Sequence, residues 1–402
     1  MNPALLNLKE YPMDFLIKTK ERLKKEGKKI YDFGVGDPRE PIEEFLVDNL
    51  RKYITCEAKY PTLKGLPELK EAISEFIKKR FKVDIESENI IPTYGSKEAI
   101  FHFPLVFINS FEEKRGVVFF SPAYPIYERG SLFANAKVFK IVLKEKNNFL
   151  PSFDSDIFFV DALKEKEYKK INLSKEEILK QTKIMFINYP HNPTGAGIDR
   201  KTLENLYELA LKYNFILASD ECYSEIYLGK EKPISLLEIA KDNNFKNIVV
   251  FNSLSKRSGF TGIRSGFVAG DKEVIRNYLK WRSSFGVAPQ DFVQKVSILA
   301  WKDENHVEKR RKIFKEKYKL FKDFFERYNI KYFKSEFTFY IWIKMNKDYL
   351  NTLIENGIIL QPGDFMGEGG EGYARLALVP SIEECKEAIS LWKSLIEKGV
   401  LK

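Results

Sequence analysis

The sequence is poor in the residues that build disulfide frameworks and zinc sites. Among its 402 residues there are three cysteines and three histidines, and there is no CxxC pair. Because Cys56, Cys222 and Cys385 are odd in number and far apart, we expect a reducing compartment and no disulfide framework. The histidines are isolated from one another, so a metal site is not expected either.

Long apolar runs are also lacking. The sequence has no apolar stretch of the ~18 residues that a transmembrane helix needs. Its opening, MNPALLNLKEYPMDF, does not show the basic segment followed by an apolar segment that is typical of a signal peptide. We therefore expect a cytoplasmic protein with no membrane partner.

Positive charge is in excess, but it is not gathered into arginine–aromatic patches. Lysine and arginine number 67 against 57 acidic residues, which gives a formal net charge of +10. The signs alternate along helical stretches such as KEKEYKK, a pattern typical of solvated helix surface. We expect no nucleic-acid partner, while the positive surface favours anionic substrates.

Apolar runs of strand length alternate with helical spacings along much of the chain. Hydrophobic residues make up 44% of the sequence, enough for sizeable cores. Apolar residues recur at helical spacing in 66–81 and 203–213. This alternation predicts an α/β protein with a mostly parallel sheet and helices on both faces. The strand-like runs lie at 115–122, 136–143, 182–190, 215–221, 247–255 and 265–271.

The C-terminal part has a different pattern. Residues 329–345 are predicted as strands, and 381–399 as a helix that opens with a capping box of Ser381 and Glu384. We interpret this part as a smaller α+β layer that the first forty residues join, since chain ends often meet. The predicted division is 1–40 for an N-terminal arm and part of the small domain, 41–285 for the large domain and 286–402 for the small domain.

Polar clusters follow several predicted strands, where ligands bind in open α/β sheets. They are YGSKEAI, SPAYPIY, NYPHNPTG, SDECYSEIY and NSLSK. Each cluster alone is weak evidence for a ligand site. NPTG is most often a turn, and an Asp after ILAS is often a helix N-cap. A lone lysine is usually solvated. Their joint occurrence in this order is specific. SLSKRSGFTGIRSGF (253–267) is either a solvated basic loop or a phosphate cradle beside a reactive amine.

From YDFGVGDP (31–38) to ARLALV (374–379) the chain resembles the class I/II aminotransferases of fold type I, which depend on pyridoxal 5'-phosphate. The motifs stand in the family's order, and Lys256 and Arg264 keep the family's spacing. The resemblance implies a large domain with a mostly parallel seven-stranded sheet flanked by helices, and a smaller α+β domain. It also implies transfer of an amino group between an amino acid and a 2-oxo acid, with 2-oxoglutarate and glutamate as the expected pair.

The resemblance assigns roles around the cofactor. Lys256 would bond to the cofactor aldehyde and carry protons, and Asp220 would pair with the ring nitrogen. Asn192 and Tyr223 would reach the phenolic oxygen, and Tyr223 is also a candidate catalytic residue. Tyr124 would stack on the ring. The phosphate would be held by hydroxyls, a guanidinium and a helix N-terminus, supplied by Gly95, Ser96, Lys97, Ser253, Ser255 and Arg264.

It also assigns the substrate contacts. Arg375 would bind the substrate α-carboxylate bidentately, with Asn192 beside it, and Gly36 would bring backbone close to that carboxylate. Tyr60 would reach the phosphate in the partner subunit, which implies a homodimer with shared active sites. For Arg257 two interpretations stay open, a structural surface residue or a phosphate contact. The residue before Asn192, a histidine, is interpreted as a tolerated loop substitution.

A closer resemblance to one group of aminotransferases concerns the identity of the amino donor. The opening MNPALLNLKEYP, the segment SLSKRSGFTGIRSGFVAGD and the close RLALVPSIEECKEA resemble N-succinyldiaminopimelate aminotransferases of lysine biosynthesis. Aspartate and LL-diaminopimelate aminotransferases are alternatives with the same cofactor residues. The turn SGFTG and the highly charged segment 151–181, interpreted as a surface insertion, depart from the pattern.

Two other classes of protein on this fold are alternatives to an aminotransferase. A pyridoxal-phosphate-dependent carbon–sulfur lyase would keep the same cofactor residues. A non-catalytic regulator on this fold is disfavoured, because such proteins usually carry an added DNA-binding domain and we expect the aminotransferase-like part to occupy nearly all of this sequence.

Overall fold

The structure, a computed structural model, describes residues 13–55, 60–165 and 167–401. The first twelve residues of the predicted N-terminal arm, and Cys56, lie outside the described residues. In chain order the strands are β1 (Tyr31–Asp32), β2 (Ile90–Thr93), β3 (Gly116–Ser121), β4 (Lys137–Val142), β5 (Ile157–Asp161), β6 (Lys169–Ile171), β7 (Thr182–Asn188), β8 (Ile216–Asp220), β9 (Ile248–Ser253), β10 (Gly266–Gly270), β11 (Tyr332–Phe333), β12 (Tyr340–Lys344), β13 (Ile358–Ile359), β14 (Gln361–Pro362) and β15 (Tyr373–Ala377).

Helices connect most of these strands. The α-helices are α1 (Met13–Lys25), α2 (Glu44–Tyr53), α3 (Pro67–Phe81), α4 (Ser96–Phe107), α5 (Ile126–Phe133), α6 (Lys175–Gln181), α7 (Arg200–Tyr213), α8 (Leu236–Ala240), α9 (Leu254–Arg257), α10 (Lys272–Phe285), α11 (Asp291–Lys302), α12 (Asn305–Arg327), α13 (Lys347–Glu355) and α14 (Ile382–Glu397). Short 3₁₀ turns lie at Ser87–Asn89, Glu145–Asn147, Lys241–Asn243 and Gly363–Met366.

A nine-stranded sheet in the order β2-β10-β9-β8-β7-β3-β4-β5-β6 carries the site. The strands β9, β8, β7, β3 and β4 run parallel, whereas β10 is antiparallel to both of its neighbours. The predicted α/β class is confirmed, but the predicted number of seven strands is wrong. The segment 151–181 supplies the two extra strands, because β5 pairs antiparallel with β4 and β6 with β5.

Both faces of this sheet are covered by helices, and the sequence of β3 shows why. Val117 and Phe119 belong to one buried cluster, and Val118 and Phe120 to the cluster on the opposite face. Side chains of a strand alternate between faces, so an uninterrupted apolar run suits a strand buried on both sides. Each such side chain contributes roughly 1.5–3 kcal/mol through burial.

The helices begin and end where their sequences indicate. In α3, Pro67 stands in the first turn, where its missing N–H costs nothing, and Ile73 and Phe76 are buried on one face. In α14 the predicted capping box is formed, since the Ser381 side chain accepts from the N–H of Glu384 and the Glu384 side chain accepts from that of Ser381. These caps satisfy backbone donors that a helix leaves free at its start.

A second core joins the two ends of the chain. It packs the antiparallel sheet β11-β12-β15-β14 against α12 and α14, and includes Leu16 and Leu23 of α1. Near the start of the chain, β1 pairs with β13, and Phe33 packs edge-on against Phe321 at 5.3 Å between ring centroids. Cys385, predicted on the apolar face of its helix, is fully buried in this core.

Helix α11 follows the predicted domain boundary, yet it packs beside α3, with Trp301 and Phe76 4.8 Å apart between ring centroids. The boundaries at residues 40 and 285 stay a prediction. Within the described residues, no helix combines the length and apolar character that crossing a membrane requires.

Candidate active site

The carboxyl ends of neighbouring strands bring the predicted polar clusters together. Asn188 ends β7 and Asp220 ends β8, and the two residues are register partners. Ser253 ends β9, and Gly266 lies opposite both Ser253 and Thr93 at the end of β2. Segments distant in sequence therefore converge on a single edge of the sheet, where ligands bind in such folds.

A cavity of about 460 Å³ lies at this edge. Gly95 does not line the cavity but lies directly behind its wall, against Arg264. Tyr60 also lies outside the lining, and its side chain is fully exposed in the isolated chain. The predicted residues that do line the cavity are Gly36, Ser96, Lys97, Tyr124, Asn192, Asp220, Tyr223, Ser253, Ser255, Lys256, Arg264 and Arg375.

Lys256 occupies the short helix α9, directly after β9. The Ser253 hydroxyl caps this helix by accepting from the N–H of Ser255 at 3.1 Å, and the Lys256 ammonium donates to the Gly36 carbonyl. Burial lowers the pKa of Lys256 to about 8, against an opposing effect of Asp37. A lysine in this state is much closer to the neutral, nucleophilic amine than a solvated one.

Asp220 is buried at the end of β8 and is held by two donors. Its Oδ2 accepts from the Tyr127 hydroxyl at 2.7 Å, and its Oδ1 from the Cys222 N–H at 3.2 Å. Burial raises the pKa of Asp220, while the hydrogen bonds from Cys222 and Tyr127 act in the opposite direction. A buried carboxylate in this position would be stabilised by a cationic partner in the cavity.

Positive charge collects at the other side of the cavity. Arg264 donates to the Thr261 carbonyl at 2.8 Å and lies 3.4 Å from the Ser255 hydroxyl. A Cβ added at Gly95 would lie 2.4 Å from Arg264 Nη2, so a side chain there would collide with the guanidinium. The pKa of Lys97 is lowered by burial and then by the neighbouring arginines, Arg264 first.

This cationic cluster stands at the start of α4, which begins at Ser96 as predicted. The helix contributes free N–H groups and the positive end of its dipole. Arg264 adopts a left-handed φ of 63°, a conformation that costs of order 1 kcal/mol and is concentrated at functional sites. The combination of cations, hydroxyls and helix N-terminus suits a phosphate group.

Arg375 forms a third part of the cavity wall. Its Nη1 donates to Asn192 Oδ1 and its Nη2 to the Gly34 carbonyl, both at 2.8 Å. Its buried Nε has no hydrogen-bond partner among the described residues. The guanidinium carbon lies 4.4 Å from the ring centroid of Tyr340. A carboxylate bound here would meet an oriented guanidinium, which favours a bidentate contact.

Two tyrosines of the site were not predicted. Tyr340 lies in β12, its hydroxyl is 3.0 Å from that of Tyr223, and a Cβ added at Gly36 would lie 2.1 Å from it. Tyr127 stands three residues after Tyr124 in the SPAYPIY segment. The repeated tyrosine of that segment was the available signal for Tyr127, whereas Tyr340 is hidden in an apolar strand sequence.

Comparison with known proteins decides the family. Residues 28–391 match aminotransferase class I and II. The chain belongs to this family. LL-diaminopimelate aminotransferase of Aquifex aeolicus is 36% identical over 392 residues, 94% of this chain and 95% of that protein. LL-diaminopimelate aminotransferase of Maridesulfovibrio salexigens is 32% identical over 399 residues, 96% of each chain. The crystal structure of an aminotransferase from Neisseria meningitidis, 33% identical, has a TM-score of 0.85 and covers 98% of this chain and 100% of its own.

The chain is therefore a pyridoxal-phosphate-dependent aminotransferase, and its cavity fits that cofactor. The cluster of Lys97 and Arg264 would hold the phosphate, Lys256 would supply the amine that meets the aldehyde, and Asp220 would face the ring nitrogen. The unpartnered Nε of Arg375 leaves a donor for the substrate carboxylate. The wall thus contains cations suited to a phosphate, an amine suited to an aldehyde, a carboxylate suited to a ring nitrogen and a guanidinium suited to a carboxylate.

Two other residues of this aminotransferase, Arg257 and His191, make structural contacts. Arg257 is buried, not a surface residue, and does not line the cavity, because its guanidinium donates to the Ala300 carbonyl and to Glu304. His191 is buried too, with Nδ1 2.7 Å from the Thr194 hydroxyl. Burial lowers the pKa of His191 to about 3, so this histidine stays neutral at physiological pH.

Proposed function

We propose that this aminotransferase transfers the amino group of LL-diaminopimelate to 2-oxoglutarate. The observation that carries the proposal is the similarity to LL-diaminopimelate aminotransferases over nearly the full length, 36% identity to the Aquifex aeolicus protein. The sequence motifs alone favour the N-succinylated donor and leave LL-diaminopimelate as an alternative. The similar proteins favour that alternative.

The residues of the cavity suit this reaction. Bound pyridoxal phosphate supplies an aldehyde that condenses with amines and a ring that withdraws electrons from the substrate Cα. Arg375 binds the α-carboxylate and so orients the Cα–H bond. The Lys256 Nζ, with its lowered pKa, removes and returns the proton at that carbon. With the cofactor bound, Asp220 would keep a proton on the ring nitrogen, and Tyr223 and Asn192 would hold the phenolic oxygen.

A panel of amino donors with 2-oxoglutarate tests the proposal. We expect kcat/KM for LL-diaminopimelate to exceed that for N-succinyl-LL-diaminopimelate, aspartate and alanine by about tenfold or more, the effect of a single favourable contact of ~1.4 kcal/mol. Glutamate formation is the measurement. A preference for aspartate or for the succinylated donor would contradict the substrate assignment. Turnover without 2-oxoglutarate would instead indicate the lyase alternative.

We propose further that the enzyme is a homodimer in which Tyr60 completes the partner's phosphate site. The Tyr60 side chain is fully exposed and lies outside the cavity of its own chain. A large aromatic side chain that is fully exposed in the isolated chain is consistent with a role across a two-fold interface.

Mixed dimers test the role of Tyr60. We expect a dimer by sedimentation, and weaker cofactor binding in Tyr60→Phe. Co-assembly of inactive Lys256→Ala with Tyr60→Phe should restore normal cofactor affinity at one site per dimer, because that site combines an intact Lys256 with the partner's intact Tyr60. Tyr60→Phe alone is the control. If the cofactor affinity of the mixed dimers does not exceed that of the control, Tyr60 acts in its own subunit. An active monomer would show that the proposed shared site is wrong.

A further inference from the structure

A second cavity of about 760 Å³ adjoins the catalytic cavity. Four residues line both: Tyr124, Pro125, Phe365 and Met366. The two spaces therefore share a wall beside the residue expected to stack on the cofactor. A substrate held at Arg375 and long enough to pass this wall would place its far end in the second cavity.

The segment 151–181 forms one side of this second cavity. Strand β5 contributes Phe158 and Val160, and the turn before β6 contributes Glu167 and Tyr168. The opposite side is the loop 364–371, which directly precedes the strand of Arg375. A segment that departs from the family's sequence pattern thus builds a wall next to the active site.

The loop that forms the opposite side is fixed on the central sheet. The Ser121 hydroxyl donates to the Glu368 carbonyl at 2.8 Å, and the Ala123 N–H to the Met366 carbonyl at 2.7 Å. A Cβ added at Gly367 would lie 2.6 Å from the Ser121 hydroxyl, so the loop approaches β3 closely. The cavity wall is held by one side-chain and one backbone hydrogen bond to the central sheet, which gives the rigidity that a specific binding site requires.

The second cavity is acidic, although the whole chain is basic. Among the described residues that line it, five are acidic and two are basic, a formal balance of −3. Lys140, one of the two cations, is buried and already compensated, with Nζ 3.0 Å from Glu128 and 3.3 Å from Glu368. It also lies 3.5 Å above the ring of Tyr168. The remaining carboxylates of the wall favour a positively charged ligand. They belong to Glu167, Asp364 and Glu371.

We propose that the second cavity is the subsite for the far end of the amino donor, and that it selects an end with a free ammonium over an acylated one. This inference rests on the proposed function. LL-diaminopimelate carries a second ammonium and a carboxylate at its far end. Succinylation converts that ammonium to a neutral amide and adds a carboxylate. The first end has no net charge and offers an ammonium to the acidic wall, whereas the second carries two carboxylates and is repelled, so the discrimination includes a repulsive part.

Neutralising the acidic wall tests the subsite. In Asp364→Asn and, separately, Glu371→Gln, which neutralise wall carboxylates other than the two paired with Lys140, the ratio of kcat/KM for LL-diaminopimelate to that for N-succinyl-LL-diaminopimelate should fall on the order of tenfold, the effect of one charge-assisted contact. Glu113→Gln is the matched control, since Glu113 is an exposed carboxylate paired with Lys137 at 2.5 Å outside both cavities. That control should leave the ratio unchanged.

Apparent inhibition constants of both compounds against glutamate give a corresponding ratio of affinities whether a compound is turned over or only bound, so the result does not depend on which donor is preferred. An unchanged ratio in both variants, or an equal change in Glu113→Gln, would overturn the subsite. Absence of inhibition by either compound would overturn it too. The proposed function is tested separately by the preference of the unchanged enzyme, so its failure is distinguishable from failure of the subsite.

Discussion

Replacing Lys256 by alanine is expected to leave a folded protein that binds pyridoxal phosphate without a covalent bond and no longer transaminates. Loss of proton transfer at the substrate Cα alone removes roughly 10²–10⁴-fold in rate, and loss of the covalent attachment adds to it. In the unchanged protein, borohydride reduction should fix the cofactor to the peptide that contains Lys256. Absorbance, peptide mapping and the rate of glutamate formation are the measurements.

Lys97→Ala is the matched control for this variant. Lys97 lines the same cavity, so its removal should weaken cofactor binding while the reduced label stays on Lys256. Because burial lowers the pKa of Lys256 to about 8, and only the neutral amine attacks an aldehyde, the rate of cofactor capture by the apoprotein should rise with pH and level off above about 8. A label on another lysine, or a rate still rising steeply towards pH 10, would contradict the assignment.

The central sheet was predictable because local pattern and tertiary environment agree there. The runs that form β3, β7, β8 and β9 are mostly apolar, with polar residues gathered near their ends, and such runs suit strands buried on both faces. The segment 151–181 was less predictable. Its charged residues dominate the pattern, yet Ile157 and Val160 are buried when β5 pairs with β4. Pairing at a sheet edge depends on the neighbouring strand, which a local pattern does not contain.

The site was predictable where its residues stand in motifs at strand ends. Tyr340 and Tyr127 were missed because their roles arise from long-range contacts. Tyr340 meets Tyr223 and Gly36 only after β12 has packed beside the large sheet. Tyr127 meets Asp220 across α5 and β8. Nor does spacing alone identify the second cavity, whose walls come from a strand pair and a loop about two hundred residues apart in sequence.

Asp220→Asn is expected to leave the fold and cofactor binding largely intact and to lower turnover severely. An asparagine can still accept from the Cys222 N–H with its Oδ1, and its Nδ2 can donate to the Tyr127 hydroxyl in place of accepting from it, but its neutral side chain cannot hold a proton on the ring nitrogen. Loss of one member of a buried charge pair costs ~2–5 kcal/mol, which corresponds to roughly 30-fold to several-thousandfold in kcat. Single-turnover rates with LL-diaminopimelate and with glutamate measure both half-reactions.

The neighbouring carboxylate provides the control. Glu221 is as buried as Asp220, and burial raises its pKa to about 7. It accepts from the Ser219 hydroxyl and the Leu236 N–H, and it does not line the catalytic cavity. Successive side chains of an extended segment point to opposite sides, so Glu221→Gln removes a buried carboxylate one residue away without touching the ring site. Turnover should stay near normal in Glu221→Gln. If the two variants lost activity equally, the effect of Asp220→Asn would reflect damage to β8, and the pairing of Asp220 with the cofactor ring would be wrong.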